Sequence, residues 1–123
     1  MEIGVDIIEI DRIERLLKKY PSFRHRVFTD EEIGYCEHKQ YPAQHFAARF
    51  AAKESIMKAL GSGWGENLRW KDLEIAVNEW GKPFVQLHGS GESLRRRRGI
   101  KEINVSLSHC KSYAVAIAQV IAA

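Results

Sequence analysis

Polar and apolar positions change period several times along the chain, and each change marks an element. Near the start, Ile3, Val5 and Ile7 alternate with Gly4 and Asp6, the period-two signature of a short strand. Its apolar members are expected to face the core, which places Asp6 among buried neighbours. From about Glu9 to Tyr20 the period lengthens. Ile10, Ile13 and Leu17 share one helical face, and Arg12, Arg15 and Lys19 share the opposite one. Tyr20-Pro21 is expected to stop this helix, because the residue before a proline resists helical geometry. Thr29-Asp30-Glu31-Glu32 is a capping box, with Phe28 and Ile33 at the hydrophobic-staple positions, so a helix starts at Asp30.

A third helix is expected from about Pro42 to Leu60, with Gly61 as its C-terminal stop. Projected at about 100° per residue, Phe46, Phe50, Met57 and Leu60 form one apolar stripe, and Lys53 falls at its centre. Glu54 sits on the flank of the stripe and Lys58 one turn beyond it. GSGWG, Gly61 to Gly65, reads as a flexible loop. LEIAV, the turn NEWGKP and FVQLH then read as a hairpin, with Pro83 at the start of its strand where the missing N–H does least harm. A short basic helix from about Glu92 to Arg98 ends at Gly99, and INVSLS and YAVAIAQVI form two further strands with SHCK between them. The architecture is α+β: a strand, helices, then a mostly antiparallel sheet.

Composition changes this picture little. The chain has 123 residues, 45% hydrophobic and 28% charged, an ordinary globular balance that reads as a single domain over residues 1–123. No apolar run approaches the ~20 residues that span a bilayer. MEIGVDIIEI lacks an early positive charge and carries acids within its apolar stretch, unlike a secretory signal. Cys36 and Cys110 fit no metal spacing and give no disulfide framework, so a reducing cytoplasm is the expected location.

Charge is more informative. The net value is only +3, but Arg95 to Arg98 form a run, and Arg12, Arg15, Lys18 and Lys19 cluster near the N-terminus. Such patches favour an anionic partner. Among acids, Asp6 in its β-branched strand and Glu54 at the edge of a buried helix face each need a partner, since an unpaired buried charge is costly. Magnesium, usually held by one or two carboxylates together with waters and phosphate oxygens, would satisfy both. Pattern alone leaves two other arrangements open: Glu54 and Lys58 as an i, i+4 surface pair, and Asp6 capping the following helix or pairing with Lys53. His109, in SLSHCK, is expected in a strand-end loop, where functional side chains commonly project. Cys110 points to the opposite face from His109 on an extended chain, which disfavours a thiol–imidazole pair. GSGWG lacks the Gly-Lys-Ser/Thr ending of a P-loop.

GVDIIEI, RFAAKESIMKALGSG, DLEI, NEWGKP and NVSLSH, in this order and spacing, resemble the holo-acyl carrier protein synthases, the small trimeric branch of the 4'-phosphopantetheinyl transferases. The resemblance implies transfer of phosphopantetheine from coenzyme A to a serine of an apo carrier protein, releasing adenosine 3',5'-bisphosphate. It implies magnesium at Asp6 and Glu54, Lys58 on the coenzyme A phosphates and His109 near the pyrophosphate. Further coenzyme A contacts correspond to Arg49, Gly61, Ser62, Gly63, Lys82 and Pro83, in sites between the subunits of a homotrimer. Glu54 would accept the serine proton, directly or through a bound water, and Lys53 would compensate the site's carboxylates or reach the ligand. An acidic carrier would dock on Arg12, Arg15 and Lys19, with Arg24 and Arg26 in support. The Arg95 to Arg98 run receives no role from the resemblance.

Two other functions fit parts of the chain. A nucleic-acid module would need aromatics interleaved with its charge for base stacking, and RRRRGIK has none. A magnesium-dependent phosphohydrolase would use the same carboxylates with water as nucleophile.

Overall fold

The structure, a computed structural model, describes residues 1–61 and 68–122. In chain order its elements are β1 (Glu2–Glu9), α1 (Ile10–Lys19), α2 (Pro21–Val27), α3 (Asp30–Glu37) and α4 (Pro42–Leu60). A 3-10 turn (Trp70–Asp72), β2 (Leu73–Val77), β3 (Pro83–Leu87), α5 (Gly89–Arg97), β4 (Ile100–His109) and β5 (Tyr113–Ala122) follow. The α+β reading holds, but the strands divide into two sheets. One is antiparallel in the order β1-β5-β4, and the other is the β2-β3 hairpin.

Helix α4 lies on the three-stranded sheet, and small residues line both sides of that contact. The helix contributes Ala48, Ala52 and Ala59, and the sheet contributes Ala114, Ala116 and Ala118, all buried. Alanine favours the helix intrinsically and also lets the sheet approach its backbone. At Gly4 the approach is closest. A Cβ there would stand 2.0 Å from the Ser55 carbonyl oxygen and 2.7 Å from the Ala59 amide nitrogen.

This packing reverses the expected orientation of β1. Ile3, Val5 and Ile7 are 57%, 55% and 64% exposed, whereas Gly4, Asp6 and Ile8 turn towards α4. The physical reason is clearance at Gly4, where any side chain would hold β1 away from the helix; Ile8 enters the core beyond that point. The outer residues continue onto β5, where Val5 pairs with Ile117 and Glu9 with Tyr113, both about half exposed.

Several local readings hold. The Thr29 amide donates to Glu32 Oε1 at 2.8 Å, and the Glu32 amide donates to Thr29 Oγ1 at 3.2 Å, so the capping box is formed. Gly61 ends α4 at φ +83°, its N–H donating to the Met57 carbonyl at 2.9 Å. The chain beyond Tyr20 differs from expectation. Pro21 opens a second helix, α2, at the first helical position, where its missing N–H costs nothing. The loop reading after Gly61, including Ser62 and Gly63, lies outside the described residues from residue 62 on.

The arginine run has a structural use. Arg95 grips Glu92 at 2.6 Å and Arg96 reaches the same carboxylate at 3.4 Å. Arg98 donates to the Leu60 carbonyl at 2.7 Å, satisfying one of the carbonyls left open at the end of α4. The run therefore ties α5 to α4.

Gly4→Ala is expected to destabilise the protein by about 1–3 kcal/mol, the range for overpacking an interior, because the obstructing atoms are backbone. The urea midpoint measures this, and an unchanged midpoint would mean that β1 and α4 separate without cost.

Candidate active site

Asp6 on the inner face of β1 meets two side chains one turn apart on α4, Glu54 and Lys58. Lys58 Nζ donates to Asp6 Oδ1 at 2.9 Å and to the Val5 carbonyl at 3.1 Å. Of the arrangements left open by the pattern, the one found is a cross-element cluster. Asp6 pairs with Lys58 rather than Lys53, and α1 begins without a side-chain cap. Burial, and after it the charge on Asp6, push the Glu54 carboxyl above its ordinary value, with Lys58 and Arg12 opposing. Two carboxylates face each other here with one lysine bound to only one of them.

Such a pair suits a hard cation. Among the described residues, no group of three or more His, Cys, Asp or Glu side chains gathers to hold a metal unaided. Asp6 and Glu54 would supply two carboxylate ligands, the number magnesium typically takes from a protein when phosphate oxygens and waters complete its shell.

Lys53 is not part of this cluster, which corrects the sequence expectation. Neighbouring residues on a helix point about 100° apart, so Lys53 faces α3 and β2 while Glu54 faces β1. Its side chain is fully buried, and Nζ donates to Glu32 Oε1 and the Val27 carbonyl at 2.8 Å each and to the Trp70 carbonyl at 3.1 Å. All three ammonium protons are used, leaving none for a ligand. Burial pulls this ammonium below its ordinary value, and the Glu32 carboxylate opposes the shift. Glu32 was visible in the sequence as a capping residue, and its second oxygen, which accepts from the Ile75 amide at 2.9 Å, carried no local signal.

His109 is the last residue of β4 rather than part of the following loop, and it is exposed. It pairs with Ala114, whereas Asp6 pairs with Ala116, so all of β5 lies between them within one chain. The His109 ring meets the His45 ring edge-on at 5.5 Å. It also lines an open groove of about 850 Å³ with Ile10, Asp11 and Tyr41 among others. Arg49 lies beneath, 3% exposed, stacked at 4.2 Å on Tyr35. Its Nη1 reaches the His45 carbonyl at 3.4 Å, and its buried Nε has no partner among the described residues. Burial, then the Arg49 and His109 charges, lower the His45 imidazole from its ordinary value. Lys82 and Pro83 sit at the β2-β3 turn, on the other sheet. There the Asn78 side chain accepts from the Trp80 and Lys82 amides at 2.9 Å each.

The basic face of α1 is intact. Arg12, Arg15 and Lys19 are exposed, opposite buried Ile13. Arg24 is used internally, paired with Glu37 at 3.5 Å and placed over Phe46. Arg26 opens instead onto a groove shared with His25, Arg69 and Lys71.

The sequence profile of the 4'-phosphopantetheinyl transferase superfamily matches residues 2–118. The chain belongs to this superfamily. Within it, the chain is 50% identical over 120 residues to the holo-[acyl-carrier-protein] synthase of Moorella thermoacetica, covering 98% of this chain and 93% of that relative. The crystal structure of the Neisseria meningitidis holo-[acyl-carrier-protein] synthase superposes with a TM-score of 0.89 at 30% identity, covering 97% and 96% of the two chains. The Helicobacter pylori enzyme, solved in complex with coenzyme A, superposes with a TM-score of 0.83 at 31% identity over 96% and 98%.

The raised Glu54 carboxyl fixes the sign of a pH effect. An acid whose folded value lies above its unfolded value favours folding while protonated, and that contribution is lost as pH rises through the raised range. Glu54→Gln should therefore raise the melting temperature of metal-free protein at neutral pH, with the gain shrinking to nothing as pH falls below the carboxylate range. A gain that grows on acidification would contradict this account.

Proposed function

We propose that the protein transfers the 4'-phosphopantetheine group of coenzyme A to a serine of apo acyl carrier protein, releasing adenosine 3',5'-bisphosphate with magnesium bound. The observation that carries this reading is the Asp6–Glu54–Lys58 cluster. Two carboxylates and a lysine from β1 and α4 are held together with less positive charge than they need, inside a fold whose relatives include a coenzyme A complex.

Asp6 and Glu54 would hold the magnesium, which supplies positive charge against the diphosphate. The serine oxygen forms the new bond to the phosphorus bearing pantetheine, and the bond from that phosphorus to the bridging oxygen breaks, leaving with adenosine 3',5'-bisphosphate. Positioning and charge neutralisation are the main demands of such a step. Lys58, already donating beside Asp6, can redirect its ammonium to a phosphate oxygen. Glu54, directly or through a bound water, would take the serine proton. The nucleophile comes from the partner, so the chain needs none of its own. A phosphohydrolase would use the same groups with water, and the carrier requirement separates the two.

The exposed arginines of α1 suit an acidic carrier. Arg12 stands close enough to influence Glu54, so a carrier bound to Arg12, Arg15 and Lys19 would present its serine at that carboxylate. The outer sheet face supports the proposed assembly. Ile3, Val5, Ile7 and Ile117 form an apolar patch that a homotrimer would cover. A neighbouring subunit would then bring His109, with Arg49, Lys82 and Pro83, to the coenzyme A bound beside Asp6. Ser62 and Gly63 belong to the same reading. The proposed setting is the cytoplasm, and no helix among the described residues is long and apolar enough to cross a membrane.

Mass spectrometry of apo carrier protein incubated with this protein, coenzyme A and magnesium should find one phosphopantetheinyl group added to one serine. Hydrolysis of coenzyme A without any carrier, or an unmodified carrier, would overturn the reading. Asp6→Ala should abolish transfer with the fold retained, and near-normal turnover at ordinary magnesium would exclude Asp6 as a ligand. Reversing Arg12 and Arg15 to Glu should raise KM for the carrier several-fold with little change for coenzyme A. Wild-type activity should fall as salt rises, because exposed charges are screened beyond about 8 Å at physiological ionic strength. Equal losses for both substrates would move these arginines to the nucleotide site.

A further inference from the structure

Lys53 and Glu32 make a buried ion pair inside a hydrophobic core, where such a pair is seldom more stabilising than apolar side chains of similar size. Lys53 also interrupts a helix stripe that Phe46, Phe50, Met57 and Leu60 would otherwise complete. Stability alone therefore gives no reason for it.

Its partners come from three separate segments. Nζ reaches the last residue of α2 (Val27), a side chain of α3 (Glu32) and the 3-10 turn (Trp70). Glu32 passes the contact on to β2 through the Ile75 amide. Apolar contacts tolerate a small rotation or slide of a helix. Three directed donors from one ammonium are satisfied together at only one rotation and one height of α4.

Glu54 has no such anchor of its own. Glu54, the next residue, lies near the charge of Asp6, while Lys58 bonds Asp6 and the Val5 carbonyl rather than Glu54. Among the described residues no hydrogen bond or ion pair ties Glu54 itself to β1, so its place depends on how α4 is held. We propose that the Lys53–Glu32 pair is a positioning device that fixes the rotation of α4, so that Glu54 stands opposite Asp6 in the geometry that a bound cation and phosphate require. Neither residue touches substrate. Both act through Glu54, and the inference rests on the transfer reading above.

The test uses full-length Lys53→Met, Glu32→Gln and the double variant, with three measurements: the urea midpoint, Mn2+ binding in the presence of coenzyme A followed by electron paramagnetic resonance, and the steady-state constants. Lys53→Met leaves Glu32 charged and unpaired, so its midpoint should drop. The double variant removes both charges and keeps an amide oxygen for the Ile75 N–H, so part of the midpoint should return, although the Thr29 amide and the Val27 and Trp70 carbonyls each lose a partner. Mn2+ binding in the double variant should nevertheless stay weakened by about 10- to 100-fold, the usual effect of losing a group that orients a metal ligand. Its kcat should fall in parallel, with KM for the carrier near the wild-type value. If metal binding and kcat return together with the midpoint, the pair is merely structural and the proposal is overturned. Should the double variant fail to fold, the same readings on Glu32→Gln decide, and wild-type Mn2+ binding there overturns the proposal equally. Wild-type protein that binds no Mn2+ with coenzyme A and modifies no carrier would instead overturn the transfer reading, and this inference with it.

Discussion

The contact between Gly4 and the backbone of α4 at Ser55 and Ala59 sets the distance on which the remaining geometry depends. Hydrogen-bonded strands keep a fixed spacing whatever their side chains, but the gap between a sheet and a helix is set by the residues that fill it. Here that filling is mostly glycine and alanine around Gly4, Ala116 and Ala118. The narrow gap lets a short aspartate on β1 reach a lysine on α4 directly, which a gap lined with leucine would prevent. It also sends Ile3, Val5 and Ile7 of β1 and Ile117 of β5 to the other side of the sheet. The candidate active site and the apolar outer face thus share one steric cause.

Helix α4 treats its charges in two ways. On the side of α3 and β2, Lys53 and Glu32 are excluded from water, matched one to one, and supplied with backbone partners for their remaining hydrogen-bonding capacity. On the side of β1, Asp6, Glu54 and Lys58 are partly open, carry two negative charges against one positive, and leave one carboxyl displaced from its ordinary value. Buried polar groups are generally satisfied where they serve the fold. A shortfall of charge between two elements is common where ligands bind, which agrees with the proposed transfer site.

Much of the fold was legible because its signals are local. The capping box at Thr29, the stop at Gly61, the hairpin around NEWGKP and the long helix from Pro42 each depend on neighbours within a few positions, and all are found. The inner and outer faces of β1 were not legible. A period of two separates a strand's residues into two sets without saying which set meets the core, and only the closeness of α4 decides it. Helix α2 was missed because Pro21 was read as the end of one helix rather than the first residue of the next, although Phe23 and Val27 share a face. In the site, Asp6, Glu54 and Lys58 came together as expected, since Glu54 and Lys58 lie one turn apart and GVD precedes them on a strand. The partner of Lys53 lies 21 positions away in the sequence, where no periodicity connects the two. The separation of His109 from Asp6 follows from strand order, which pairing patterns along a single sequence do not reveal.

The tight fit at Gly4 also proofreads the pairing of β1 with its neighbour. If β1 slipped by one residue against β5, every side chain on it would change face. Asp6 would leave the helix, and a valine or isoleucine would arrive where even a single methyl has no room. The misregistered sheet is thus excluded by steric overlap at the same place where it would lose its carboxylate. A chain folded this way has little access to a compact but inactive form with β1 in the wrong frame.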